Sequence, residues 1–160
     1  MEKHETPESF QLDHDAVKAP FVRRAGVHKL ISGCEVVKWD LRFKQPNVAH
    51  LEMPAIHSIE HILATTFRTI TDAVVDISPM GCQTGFYVSV DGEELGDFDV
   101  FTEVLGRAIE TAIELGVVPG STRTECGWAE SHSLEGAKEA LTDFLDARDE
   151  WAEVFVTDQV

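Results

Sequence analysis

The 160-residue sequence contains no apolar run of the length a bilayer span requires. Its opening residues, MEKHETPESFQLDHD, are acidic and polar, which argues against a signal peptide. A cytoplasmic location is therefore the expectation, with no membrane partner. Repeats, low-complexity tracts and linkers are also missing, so the expected organisation is one domain over residues 1–160, long enough to bury a core unaided. Cysteines number three, and an odd count argues against a disulfide framework. Cys34, Cys82 and Cys126 are then each a core thiol, a metal ligand or a reactive group.

Positive charge is scarce as well. There are 13 Lys and Arg against 29 Asp and Glu, a net charge of −16. The imbalance is uneven: residues 1–50 hold 8 basic and 7 acidic residues, and residues 51–160 hold 5 and 22. Such a surface repels phosphate backbones and anionic lipid, which excludes nucleic acid as the expected partner. Solubility is the simpler reading of the acidity. Apolar content of 43% and charged content of 26% are those of a globular chain.

The segment GVHKLISGCEVVKWDLRFKQPN predicts two strands around Ser32-Gly33. The second alternates, with Val37, Trp39, Leu41 and Phe43 on one face and Lys38, Asp40, Arg42 and Lys44 on the other, until Pro46-Asn47 breaks it. Residues 52–70 carry Ile56, Ile59, Leu63, Phe67 and Ile70 at helical spacing. AVVDIS predicts a short strand ending at Pro79, and TGFYVSVDG another, ended by Asp91-Gly92. A helix spans DFDVFTEVLGRAIETAIELG, with Asp97 near its start and Gly116 just past its end. Residues 117–130 read as irregular. A last helix follows Ser131 or Ser133, with Leu134, Ala137, Leu141 and Leu145 on one face. Hairpin strands mixed with helices, without βαβ alternation, predict an α+β fold: a mainly antiparallel sheet packed with helices in a single domain.

The helix at 52–70 also carries His57, Glu60 and His61. At about 100° per residue, His61 lies roughly 40° from His57 and Glu60 roughly 60° to the other side. Two imidazoles one turn apart can reach one divalent ion while the carboxylate handles protons beside it. The order H-x-x-E-H inverts the common zincin order. His14, His132 and several carboxylates are candidates for a third ligand. Cys126 is the better one, because TECGW lies in an irregular stretch where the backbone can bend to aim a thiolate. The inert alternative is a buried thiol packing as a small hydrophobe. Cys82, in SPMGCQTGFY, sits on a glycine-flanked turn between two strands, where catalytic groups often lie. A nearby cation would favour its thiolate; on spacing alone a buried inert thiol is the plainer reading.

Five stretches together resemble the S-ribosylhomocysteine lyases, which make the precursor of the autoinducer-2 quorum-sensing signal: SFQLDHDAVKAPFVR (9–23), KWDLRFKQPN (38–47), HSIEHILA (57–64), DISPMGCQTGFY (76–87) and ECGWAESHSLEGAKEAL (125–141). They follow in order across almost the whole chain. Ser58 and Ile59 stand where that family usually has Thr and Leu, Trp39 where Phe is usual, and Gln83 where Arg is frequent. The Gln83 difference bears on Cys82, since it removes a cation.

The resemblance implies a metal held by His57, His61 and Cys126 plus a water or substrate oxygen. It implies one Fe2+ per chain, with Zn2+ or Co2+ able to replace it. It implies Cys82 and Glu60 as the acid/base pair, and Ser9, His14, Arg42 and Asp76 close to the substrate, where the Arg42 fork could orient paired oxygens. It also implies homodimers with sites at the subunit interface. The chemistry would be Lewis-acid-assisted migration of a carbonyl along the ribose of S-ribosylhomocysteine, then β-elimination of homocysteine. Two alternatives remain at this point. One is an inverted-motif HxxEH metallopeptidase, with Glu60 activating water. The other is a non-catalytic module closed by a fourth protein ligand.

Overall fold

A computed structural model describes residues 6–156. Its frame is a four-stranded antiparallel sheet of β1 (Phe21–Lys29), β2 (Glu35–Arg42), β3 (Val74–Pro79) and β4 (Gly85–Asp91), in the spatial order β1-β2-β4-β3. Three helices pack together on one face: α2 (Met53–Arg68), α4 (Phe98–Ile113) and α5 (Leu134–Asp146). The architecture is α+β with a wholly antiparallel sheet. Two four-residue helices, α1 (Glu8–Gln11) and α3 (Gly92–Leu95), complete the elements with a 3-10 turn at Arg148–Glu150. No described helix is long and apolar enough to cross a membrane.

The core forms where sheet and helix patterns meet. Val37, Trp39 and Leu41 of β2 and Phe86, Val88 and Val90 of β4 are all buried, as are Ile56, Ile59, Leu63 and Phe67 of α2. Trp39 stacks on Phe101 of α4 with ring centres 4.7 Å apart, and its indole N–H reaches the Leu95 carbonyl at 2.9 Å. Fully burying such side chains contributes about 1.5–3 kcal/mol each. Asp97 caps α4 by accepting from Asp99 and Val100 N–H groups, and Ser133 caps α5 by accepting from Gly136.

The hairpin turn falls at residues 30–34 as expected, with Gly33 at φ 92 and Cys34 exposed. Strand β1, however, begins at Phe21 rather than near Gly26. The opposite face of β2 also differs from its sequence pattern. Asp40 is 0% and Arg42 1% exposed. They are buried in an ionic layer: Arg42 grips Asp40 through Nε at 3.2 Å and Nη2 at 2.8 Å, and Arg23, the cross-strand partner of Asp40, adds a third contact at 3.2 Å. Arg23 in turn holds Glu8 of α1 at 2.7 Å. The N-terminal segment thus covers a face that strand alternation alone assigns to solvent.

Candidate metal centre and adjoining cleft

Helix α2 holds His57 and His61 one turn apart, half-buried, while Ile56, Ile59 and Leu63 bind the same helix to the core. Loops bring the remaining donors. Cys126 follows a turn in which its own N–H reaches the Thr122 carbonyl at 2.9 Å. His132 precedes the α5 cap. One nitrogen from each of His57, His61 and His132 and the Cys126 sulfur all lie within 4.8 Å of one another.

The rings are oriented by their other nitrogens. His57 Nδ1 lies 2.8 Å from the Ser131 carbonyl oxygen, and His61 Nδ1 lies 2.9 Å from that of Pro119. A carbonyl only accepts, so both rings carry their proton on Nδ1 and leave the Nε2 lone pair free for a ligand role. The Pro119 carbonyl is aimed by Gly120 at φ 62, whose position has only 3.4 Å between a would-be Cβ and His61 Nδ1. His57 Nε2 comes within 3.4 Å of Cys126 Sγ. Imidazole and thiolate donors in this number fit a borderline divalent ion such as zinc or ferrous iron. Burial lowers the His132 imidazole below its ordinary range, and the neighbouring His57 and His61 push the same way.

Glu60 is half-buried on the same helix and has no ion pair or hydrogen bond among the described residues.

Cys82 occupies the tip of the β3–β4 turn and is exposed, so the buried-thiol alternative does not apply. The turn closes through Gln83 N–H to the Met80 carbonyl at 2.9 Å, with Gln83 itself at φ 64. Gly85 anchors it: a Cβ there would lie 2.0 Å from the Leu41 carbonyl oxygen. Beneath the tip, Arg42 donates to Thr84 Oγ1 at 3.0 Å, and Thr84 Oγ1 lies 3.0 Å from Cys82 Sγ. Thr84 Oγ1 thus links the Arg42 guanidinium to the sulfur, and either atom of the Thr84–Cys82 contact can donate. Burial works against the Arg42 charge, but the Asp40 hydrogen bond and charge outweigh it, and Cys82 and Tyr87 add to the net rise in its pKa. The cation that Gln83 does not supply thus comes from below.

His14, Arg42, Cys82 and Thr84 line a cleft of about 530 Å³ with residues 46–50. The structure gathers three of the expected site residues there and three in the metal centre. It brings neither Ser9, half-buried in α1, nor Asp76, exposed on β3, to either place. The Arg42 fork, expected to face substrate oxygens, is taken up by Asp40. Thr84 and His50 escaped the sequence reading, because neither stands in a spacing pattern with a ligand or nucleophile.

Fold and centre together define a small α+β protein with a His/Cys group able to hold a metal ion and, apart from it on the chain, a thiol-bearing cleft. A family model described as S-Ribosylhomocysteinase (LuxS) matches residues 7–155. Among similar proteins, the S-ribosylhomocysteine lyase of Listeria monocytogenes serotype 4a is 54% identical over 92% of this chain and 94% of its own. That of Staphylococcus haemolyticus is 49% identical over the same shares. That of Oceanobacillus iheyensis is 46% identical over 97% of this chain and all of its own. The chain belongs to the S-ribosylhomocysteinase family, and as a member it is an enzyme, a lyase.

Proposed function

We propose that this protein cleaves S-ribosylhomocysteine to homocysteine and 4,5-dihydroxy-2,3-pentanedione, with one divalent ion per chain held by His57, His61 and Cys126. The observation that carries the reading is the convergence of two Nε2 lone pairs and one sulfur, with both Nδ1–H groups already committed to backbone carbonyls. The relatives are named for this reaction. Ferrous iron is the proposed ion, with zinc or cobalt able to replace it. When bound, the ion supplies Lewis acidity that makes a C–H beside the substrate carbonyl acidic.

The rest falls to the chain's own side chains. In the open aldehyde form, a base removes the C2 proton and returns it at C1, which moves the carbonyl to C2. A second transfer, from C3 to C2, moves the carbonyl to C3. Removal of the C4 proton then breaks the C5–S bond, and the sulfur leaves with the electron pair and is protonated as homocysteine. No external oxidant or reductant enters. Glu60 and Cys82 carry these protons. Glu60 stands on α2 next to His57, on the side away from His61, and Cys82 is carried by a separate loop, so the two can serve different carbons. Arg42, with its fork on Asp40, acts through Thr84 on Cys82, and His14 faces the cleft that takes substrate.

The cleft and the metal centre share no lining residue on one chain. That separation supports a homodimer in which a second copy completes each site, with Ser9 and Asp76 approaching substrate there. Exposed apolar side chains, among them Phe10, Val48, Met53 and Trp128, offer surface for it. One lyase domain over the chain, a cytoplasmic location suited to free thiols, and the lack of nucleic-acid or membrane partners complete the reading. A thiol donor and no carboxylate in the His/Cys group of the described residues disfavours the peptidase alternative.

The test is anaerobic incubation of iron-loaded protein with S-ribosylhomocysteine, followed by a thiol assay. Homocysteine release that is lost on Cys82→Ala while metal is retained supports the reading. Absence of release from the fully loaded protein refutes it.

A further inference from the structure

Four donors meet at the metal centre, one more than the proposed ligand set uses. Two imidazoles on one tetrahedral ion diverge, with ring centres roughly 5 Å apart. His57 and His61, at 4.8 Å, satisfy that, as do His61 and His132 at 4.9 Å. His57 and His132 do not: their rings lie nearly parallel with centres 3.9 Å apart, a stacked pair. Only one ring of that pair has room to share the ion with His61.

Their hydrogen bonds decide which. His57 Nδ1 faces a carbonyl, which fixes the proton there and frees Nε2. His132 Nδ1 instead faces a hydroxyl, Ser58 Oγ, at 3.1 Å. A hydroxyl can donate or accept, so this ring alone is free to carry its proton on Nε2. Ser58 is fully buried, its oxygen receives Ser133 N–H at 2.8 Å, and its hydroxyl donates to the Pro54 carbonyl at 2.9 Å, an acceptor that also receives that N–H at 3.1 Å. Because that carbonyl keeps the Ser133 N–H, the Ser58 hydroxyl can turn to donate to His132 Nδ1 instead. On its far side, His132 Nε2 lies 3.5 Å from Cys126 Sγ.

We propose that His132 is a positioning residue that donates Nε2–H to the Cys126 thiolate, with Ser58 donating to its Nδ1, and is not a fourth ligand. The inference rests on the metal site proposed above. An N–H bond to the sulfur withdraws electron density from the ligand, leaves the bound ion a stronger Lewis acid, and keeps one coordination position open for substrate. Outer partners of this kind set metal affinity as well, by about 10–100-fold.

The test loads wild-type, His132→Ala, His132→Gln and Ser58→Ala proteins with Co2+ and records absorption alongside metal affinity. Removing a hydrogen bond from a thiolate raises its lone-pair energy. The sulfur-to-cobalt charge-transfer band should therefore move to longer wavelength in His132→Ala, with the ligand-field bands in place. Affinity should fall about 10–100-fold. His132→Gln, which keeps an N–H donor, should move the band back toward wild type. Ser58→Ala should shift it in the same sense as His132→Ala; that variant and the Gln variant carry the test if His132→Ala does not fold. A charge-transfer band unmoved in all variants would leave His132 a packing residue and overturn the proposal. A change confined to the ligand-field bands would make it a ligand and overturn it equally. Wild-type protein that binds cobalt with no thiolate band would instead defeat the underlying assignment of Cys126.

Discussion

Glu60 stands on the helix of the two imidazoles and Cys82 on the cleft loop, neither of them in the His/Cys group, so the proposed chemistry and metal binding can be separated at single positions. Cys82→Ala and Glu60→Gln should each lower homocysteine release by about 10²–10⁴-fold, the usual loss for one acid/base group. Metal content should stay near that of the unaltered protein; loss of metal in Glu60→Gln would make the carboxylate a support of the ligands instead. The ion pair below Cys82 has a different signature. Arg42→Ala strands Asp40, 0% exposed, without its bidentate partner. Breaking a buried pair in this way destabilises by about 3–5 kcal/mol, measurable as a lower urea midpoint. Unchanged stability would mean that water reaches the pair. At this scale the pairing of His57 and His61 in the His/Cys group was legible in the sequence, because i and i+4 spacing on a helix is a geometric statement. Asp40 and Arg42 were not. Alternation assigned them to a wet face, and what covers them lies far away in sequence, in α1 and β1.

The elements divide by length. Helices α2, α4 and α5 repeat their apolar residues over three or more turns, and their bounds fell close to expectation. The four-residue α1 and α3 offer no period to read. The first half of β1 was missed because Phe21 and Val22, adjacent in sequence, are both buried. A strand covered on both faces loses its alternation. Capping gives a test independent of the site. Asp97→Ala removes the acceptor of two N–H groups at the start of α4 and should destabilise by about 1 kcal/mol with metal affinity unchanged. Gly120→Ala should reach the metal site as well as stability, since a side chain at that positive φ is strained. A Cβ at φ 62 and 3.4 Å from His61 Nδ1 disturbs the turn that aims the Pro119 carbonyl. Metal affinity should fall by about 10–100-fold, as when other outer partners of a ligand are lost. Calorimetric titration of both variants distinguishes the two effects, and equal affinity in Gly120→Ala would show that the carbonyl is not needed to orient His61.

Over the whole molecule, the His/Cys centre and the cleft of Cys82 are separate on one chain, and assembly is the proposed means of joining them. Sedimentation at micromolar concentration should give about twice the 17.7 kDa chain mass. A fully active monomer would place every catalytic group on one chain. None of this was readable from composition; an interface between identical copies leaves no periodic trace in a sequence. The most direct test of the account is a titration of metal-stripped protein with Fe2+ under anaerobic conditions, following homocysteine release from S-ribosylhomocysteine. Release should rise linearly and break at one equivalent per chain, and His57→Ala should give none at that equivalence. Full turnover in the stripped protein, or a rate indifferent to added metal, would contradict a lyase that works through this centre.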